Sequence, residues 1–242
     1  MSSDRRTAAA AGVLFLVTEI AAIGGLALYR PVLDGAAGVL GPGDVTSAFL
    51  GALCELVLVV AVIGTAVVLY PVVRRQHEAM AIGYACLRLL EAAVITVGVL
   101  SVLTVVTLRR EAVGVAGVGG ADRALVALHD WTFLLGPNVA LGLNTTVLAY
   151  AMYRSRLVPR FIALLGLVGG PLICASAVAV MFGAYEQVSV TGSALAVPVF
   201  AWEVVLAVRL IAKGFDPVRA GAADAPRTAL VPAGATAGDL RA

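Results

Sequence analysis

Charge is what this chain has least of. Only 13% of its 242 residues are Asp, Glu, Lys or Arg, against roughly 25% in an ordinary soluble domain. Lysine is nearly absent: Lys213 is the single one among 17 basic residues. Histidine occurs twice, cysteine three times, and aromatic residues make up 6%. Each shortage excludes something. Seventeen basic residues against 15 acidic ones leave a net charge of +2, too little to draw a nucleic-acid partner. Cys54, Cys86 and Cys174 stand alone in apolar runs, without metal-ligand spacing, and are expected to be buried, reduced thiols. No Glu-x-x-His pair, phosphate loop, Gly-x-Ser-x-Gly elbow or His-Glu-x-x-His motif occurs, so neither a metal nor a cofactor is expected.

What fills the chain instead is apolar side chains, 61% of the total, with a mean hydropathy of +0.99. A water-soluble fold of this length has no interior large enough to hide them, which excludes a cytosolic enzyme and a disordered chain. Crossing a bilayer takes about 20 consecutive apolar residues in a helix. Six runs qualify, near Ala8–Leu28, Thr46–Val73, Met80–Leu108, Leu125–Tyr153, Phe161–Phe182 and Ser193–Ala212. They are too long for barrel strands and lack period-two alternation. The expected fold is therefore all-α, a multi-pass six-helix transmembrane bundle over residues 8–215. A basic segment (1–7) precedes it, and an Ala-, Gly- and Pro-rich tail (216–242) reads as disordered. Arg5 and Arg6 before an apolar run resemble a signal peptide, but about 21 apolar residues exceed the roughly 7–15 of a signal's core.

With the N-terminus inside, twelve basic residues fall on the inner side and four, Arg30, Arg109, Arg110 and Arg123, on the outer side. The positive-inside bias then predicts cytoplasmic N- and C-termini. The preference for Arg, with the wealth of Ala, Val and Gly, suggests a bacterial cell membrane.

Ionisable side chains inside a span cost roughly 2.5–3.5 kcal/mol each when charged at the centre. Glu19, Glu55, Glu91 and Glu203 lie well inside four different spans. All four facing lipid while charged would cost ~10–14 kcal/mol, so they are expected to face one another, Arg88 or water. At 1.5 Å per residue, Glu19 and Glu55 each sit about 14 Å below the outer ends of their spans and Glu203 about 15 Å into its own. Glu91 reaches mid-membrane from the inner side. A single shared layer follows, with the four carboxyls within about 12 Å of one another beside a pocket of several hundred Å³.

Tyr84, Arg88, Glu91 and Ile95 step by four, three and four along one helical stripe, so Arg88 and Glu91 can pair directly. That pair reads either as a self-neutralising intrahelical contact or as an anchor for an anionic group. The fourth span carries His129, Trp131, Pro137, Asn138 and Asn144. Pro137 should kink it, and the two asparagines lie roughly 120° apart on an ideal helix, one suited to bridging helices and one to facing a pocket. Trp202 adjoins Glu203. Arg88, Tyr84, Asn138, Asn144, His129, Trp131 and Trp202 are thus the candidate ligand-contacting residues, and the four glutamates the candidate proton-transfer groups. Gly166 and Gly170 form a GxxxG pattern suited to close helix packing.

Several of these features recur together. They are Thr18-Glu19 in the first span, Cys54-Glu55-Leu56 in the second, and Arg88 with Glu91 in the third. Gly136-Pro137-Asn138 with Asn144 follows, and then the run from Arg154 to Arg160, Arg-Ser-Arg-Leu-Val-Pro-Arg. In these the chain resembles the bacterial integral membrane family catalogued as domain of unknown function 4386. The resemblance implies six helices and supplies no activity, substrate or catalytic residue to carry over. From the residues alone three functions stay open. One is binding or translocation of a proton, a cation or a small amphipathic molecule. The second is an intramembrane enzyme using a glutamic acid on a lipid or isoprenoid, as a terpene cyclase or isomerase does. The third is a structural or accessory membrane subunit. Membrane lipids, a small-molecule or isoprenoid ligand and a second copy of the chain are the expected partners.

Overall fold

The computed structural model describes residues 3–33, 40–111 and 119–216. Within them all regular structure is helical. Helix α1 runs Ser3–Leu33, α2 Pro42–Arg74 and α3 Glu78–Glu111. The fourth span is built from α4 (Gly119–Leu134), a π-helical turn (Leu135–Ala140) and α5 (Leu141–Ser155). Helices α6 (Arg160–Met181) and α7 (Val190–Ala212) complete six helices long and apolar enough to cross a membrane. The protein is a multi-pass membrane protein. The spans outrun the 20-residue minimum because polar ends stay helical: α1 begins at Ser3, five residues before the first apolar run. Of the tail read as disordered (216–242), Asp216 is described and donates its amide to the Leu157 carbonyl at 2.8 Å; residues 217–242 lie outside the described residues, as do residues 1 and 2.

Each span packs on its neighbours in chain order, and α7 returns to α1, so the bundle closes into a ring. Arg5 of α1 seals that closure. Its guanidinium donates to the carbonyls of Leu210, Ile211 and Ala212, at 3.0, 2.6 and 3.1 Å, in the last turn of α7, where carbonyls lack intrahelical partners. The first and last helices therefore share one face, called here the terminal face.

Glycine sets how closely the helices approach. A side chain at Gly170 would strike Thr146 and the Gly142 carbonyl of α5, and one at Gly166 would strike the Trp202 indole of α7. The GxxxG pattern thus serves two different neighbours. Between α1 and α2, Gly25 lies against Glu55 and Gly51 against Tyr29, which fixes the antiparallel register. Three apolar clusters result, the smallest formed by Ala21, Leu58, Val62, Ala92 and Ile95 in the middle of the bundle. Another, near the terminal face, holds Phe15, Leu69, Tyr84, Met152 and Trp202; the third, toward the opposite face, holds Tyr29, Val99, Val102 and Val106.

The cysteines are free, but Cys86 is exposed on the outer surface of the bundle and Cys54 and Cys174 are half-buried. The expectation of three buried thiols is corrected accordingly: a lipid-facing surface accepts a small apolar thiol as readily as a core does.

Candidate functional site

A group of buried polar side chains lies beside the middle apolar cluster. At its centre is Arg88, 1% exposed. A guanidinium buried in a span must spend its donors on protein, and Arg88 does so. Nη1 donates to Glu91 at 3.2 Å, Nη2 to Glu203 at 3.0 Å, and Nε to the Tyr84 hydroxyl at 3.1 Å. Tyr84 in turn reaches Thr65 of α2 at 3.3 Å. Asn144 of α5 donates to the same Glu91 oxygen that Arg88 uses, at 2.6 Å. The guanidinium also lies 5.4 Å from the Phe15 ring centroid and 5.6 Å from that of Tyr84, a favourable placement for a desolvated cation. Trp202 meets Phe15 edge-on at 6.1 Å. One side chain thus ties α1, α3 and α7 directly, and α2 and α5 through its partners.

Glu19 joins this group without pairing with Arg88. It is half-buried and, with Glu91, Glu203 and Arg88, borders a hollow of about 80 Å³ whose apolar side includes Ala22, Leu58, Ile95 and Pro137. Those four apolar residues also line a second hollow of about 170 Å³, further from the terminal face, into which Glu55, His129, Thr132 and Phe133 project. The two hollows share one wall. Beside Glu55 stand Tyr29 and His129, packed edge to face at 5.7 Å. His129 stacks on Phe133 at 6.2 Å. The Tyr29 hydroxyl and the Nδ1 atom of His129 are buried without a hydrogen bond, although Nδ1 lies 3.6 Å from the exposed Asp130.

The structure therefore gathers Glu19, Glu91, Glu203, Arg88, Tyr84 and Asn144 and sets Glu55 and His129 apart from them. The expected single layer of four glutamates is corrected. Because Gly25 faces Glu55, Glu55 sits at the level of residue 25 on α1, six residues or about 9 Å above Glu19. The pocket of several hundred Å³ is corrected as well, to two adjoining hollows of about 80 and 170 Å³. Asn138 lines a third hollow, about 190 Å³, with Ser176, Gln187 and Ser193. Trp131 is 49% exposed on the outside of the bundle and borders none of these hollows. Trp202 is fully buried and supports Phe15.

Pro137 sits in a π turn. The fourth span absorbs it by widening rather than by a simple kink. Having no N–H, Pro137 frees the carbonyl of Phe133, and Gln187 Nε2 donates to that oxygen at 3.1 Å. Gln187 was not singled out from the sequence, yet an intramembrane proline demands such a donor. Also missed was the buried ion pair of Arg109 with Asp122, two contacts of 2.8 and 3.0 Å, with a third from Arg109 to the Val32 carbonyl at 2.7 Å. No sequence spacing marks it, because Asp122 belongs to the next helix. Among the described residues no group of three or more His, Cys, Asp or Glu is arranged to hold a metal.

The profile of the family described as domain of unknown function (DUF4386) matches residues 10–214, and the chain belongs to that family. No curated protein matches the chain, and no solved structure does.

Proposed function

We propose that this protein binds a proton, or a small amphipathic cation such as an alkylammonium ion, in its paired hollows and passes it across the bacterial cell membrane. The observation that supports this reading is a charge imbalance. Apart from the self-contained pair of Arg109 and Asp122, four carboxyls, Glu19, Glu55, Glu91 and Glu203, lie around the two hollows with one guanidinium, Arg88. Arg88 engages Glu91 and Glu203, so even that contact leaves more negative than positive charge. An uncompensated charge in an apolar interior costs several kcal/mol and draws in a proton or a cation. The surplus acids are Glu19 and Glu55, and each borders a hollow. Rings beside an acid suit an ammonium head, and Tyr29, His129 and Phe133 provide them around Glu55. The π turn carrying Pro137 lines both hollows and is the element whose movement would join them.

Size bears on the alternative. Clefts for drug-sized ligands hold about 300–1,000 Å³; the larger of the paired hollows is about 170 Å³. A small ion fits, whereas an isoprenoid substrate for intramembrane catalysis would need the bundle to open. The twelve-to-four split of basic residues supports cytoplasmic termini.

The test is uptake of radiolabelled butyltrimethylammonium, a fixed small cation, into proteoliposomes under an imposed pH gradient. Wild-type protein is expected to exceed empty liposomes severalfold. Glu55→Gln and Glu19→Gln, checked for normal folding by gel filtration, are expected to fall to the empty-liposome level. Wild-type uptake no greater than that of empty liposomes, or full uptake in both variants, would overturn the reading.

A further inference from the structure

We propose that the turn between α5 and α6 is a binding site for the phosphodiester headgroup of an anionic phospholipid, held by Arg154, Arg156 and Arg160. This inference does not depend on the function proposed above. The three arginines fall within seven residues, and no acidic residue occurs from Tyr150 to Ile162. All three are exposed, and among the described residues none pairs with a carboxylate. Their neighbours on the terminal face are different. Arg74 is held by Glu78 at 3.1 Å, Arg75 by Asp4 at 3.3 Å and Arg209 by Asp216 at 2.5 Å, while Arg5 is taken up by the end of α7. Arg6 and Lys213 are also exposed without an acid partner among the described residues, but each is single, whereas this turn gathers three unanswered positive charges within seven residues.

The turn is also anchored to the bundle. Ser155, Leu157 and Val158 are buried around it, and the Leu157 carbonyl accepts from the Asp216 amide at 2.8 Å. Between two buried residues, Arg156 adopts a left-handed backbone with φ +54°. That conformation costs a residue with a side chain of order 1–3 kcal/mol and persists only where the surroundings impose it. Arg160 opens α6, where a cation opposes the helix dipole, so its charge does not serve the helix. Arg154 lies 6.0 Å from the Tyr150 ring centroid and Arg160 5.6 Å from that of Tyr153. These contacts limit the freedom of the guanidiniums while leaving their donors unspent.

Depth selects the ligand. Tyr150, Phe161 and Leu164 are 42%, 65% and 48% exposed on the same two helices, so the turn lies just beyond a surface that faces hydrocarbon. That is the level of lipid headgroups, and Arg forks match phosphate oxygens in pairs. A basic residue near an anionic membrane surface strengthens binding by about 5-fold, which makes three worth roughly 100-fold.

The experiment is a thermal-unfolding titration of the detergent-solubilised full chain. The probes are dihexanoyl-phosphatidylglycerol, dihexanoyl-phosphatidylcholine and inorganic phosphate. Phosphatidylglycerol is expected to raise the Tm, with the other two probes giving little. The triple variant Arg154→Gln/Arg156→Gln/Arg160→Gln is expected to need roughly 100-fold more phosphatidylglycerol for the same shift. Arg74→Gln/Arg75→Gln, at the acid-paired turn, is expected to respond like wild type. Equal stabilisation by phosphatidylcholine would overturn the proposal, as would an unchanged response in the triple variant. Stabilisation by inorganic phosphate equal to that by phosphatidylglycerol would assign the turn to a free phosphate and overturn the lipid.

Discussion

Two acidic sites, about 9 Å apart in depth, differ in how completely the protein answers their charge. Around Arg88, two carboxylates, a phenol and an amide converge, and three donors of the guanidinium each find an acceptor. Beside Glu55 stand a phenol and an imidazole but no guanidinium, and the group is set against an open hollow. The first arrangement is what a bundle needs to fold in lipid. The second costs stability unless something else completes it. Burial alone does not distinguish them, since Glu91 and Glu203 are each 4% exposed and Glu55 8%. Partner count does.

The comparison is broken most forcefully at Arg88. Arg88→Leu removes one partner from two buried carboxylates, and breaking a buried pair from one side costs about 3–5 kcal/mol. Chemical denaturation in detergent should show a loss of that size. The triple variant Arg88→Leu/Glu91→Gln/Glu203→Gln, which removes the charges together, should regain most of it. A smaller effect is expected from the register that holds the sites apart. A Cβ at Gly25 would stand 2.9 Å from Cγ of Glu55. Gly25→Ala should therefore destabilise by ~1–3 kcal/mol and weaken butyltrimethylammonium uptake, because it displaces Glu55. Glu55→Gln keeps the shape and removes the charge. Its stability should rise, by ~1–3 kcal/mol, because an unpaired buried charge is removed, while uptake is lost. Smallest of all, Trp131→Ala on the outer surface should change stability by no more than about 0.5 kcal/mol and leave uptake intact.

How much of this was legible in the sequence depended on distance along the chain. Hydropathy revealed all six spans, because bilayer crossing leaves its mark on every stretch of about 20 residues. The contact between Arg88 and Glu91 was legible because it lies within one turn of one helix. The reach of Glu203 to Arg88, 115 residues away, was not fixed by any local pattern, though the cost of burying an unpaired acid predicted a partner of that kind. Glu55 was assigned to the wrong depth. Counting from the ends of apolar runs assumes that all spans share a level, whereas the contact of Gly25 with Glu55 sets the actual register. The fourth span shows a third kind of gap. Proline announced a disturbance at residue 137, but its resolution as a π turn with Gln187 on the Phe133 carbonyl depends on a loop packed from another span.

The contrast between an answered and an unanswered acid can be read chemically. A hydrophobic carbodiimide enters the bilayer and attacks carboxyl groups that no ion pair holds. Peptide mapping after brief treatment of the protein in liposomes should find Glu55 modified first and Glu19 next. Glu91 and Glu203 should stay intact, and butyltrimethylammonium should protect Glu55. Equal modification of all four, or of Glu91 and Glu203 ahead of Glu55, would contradict the division on which the account rests.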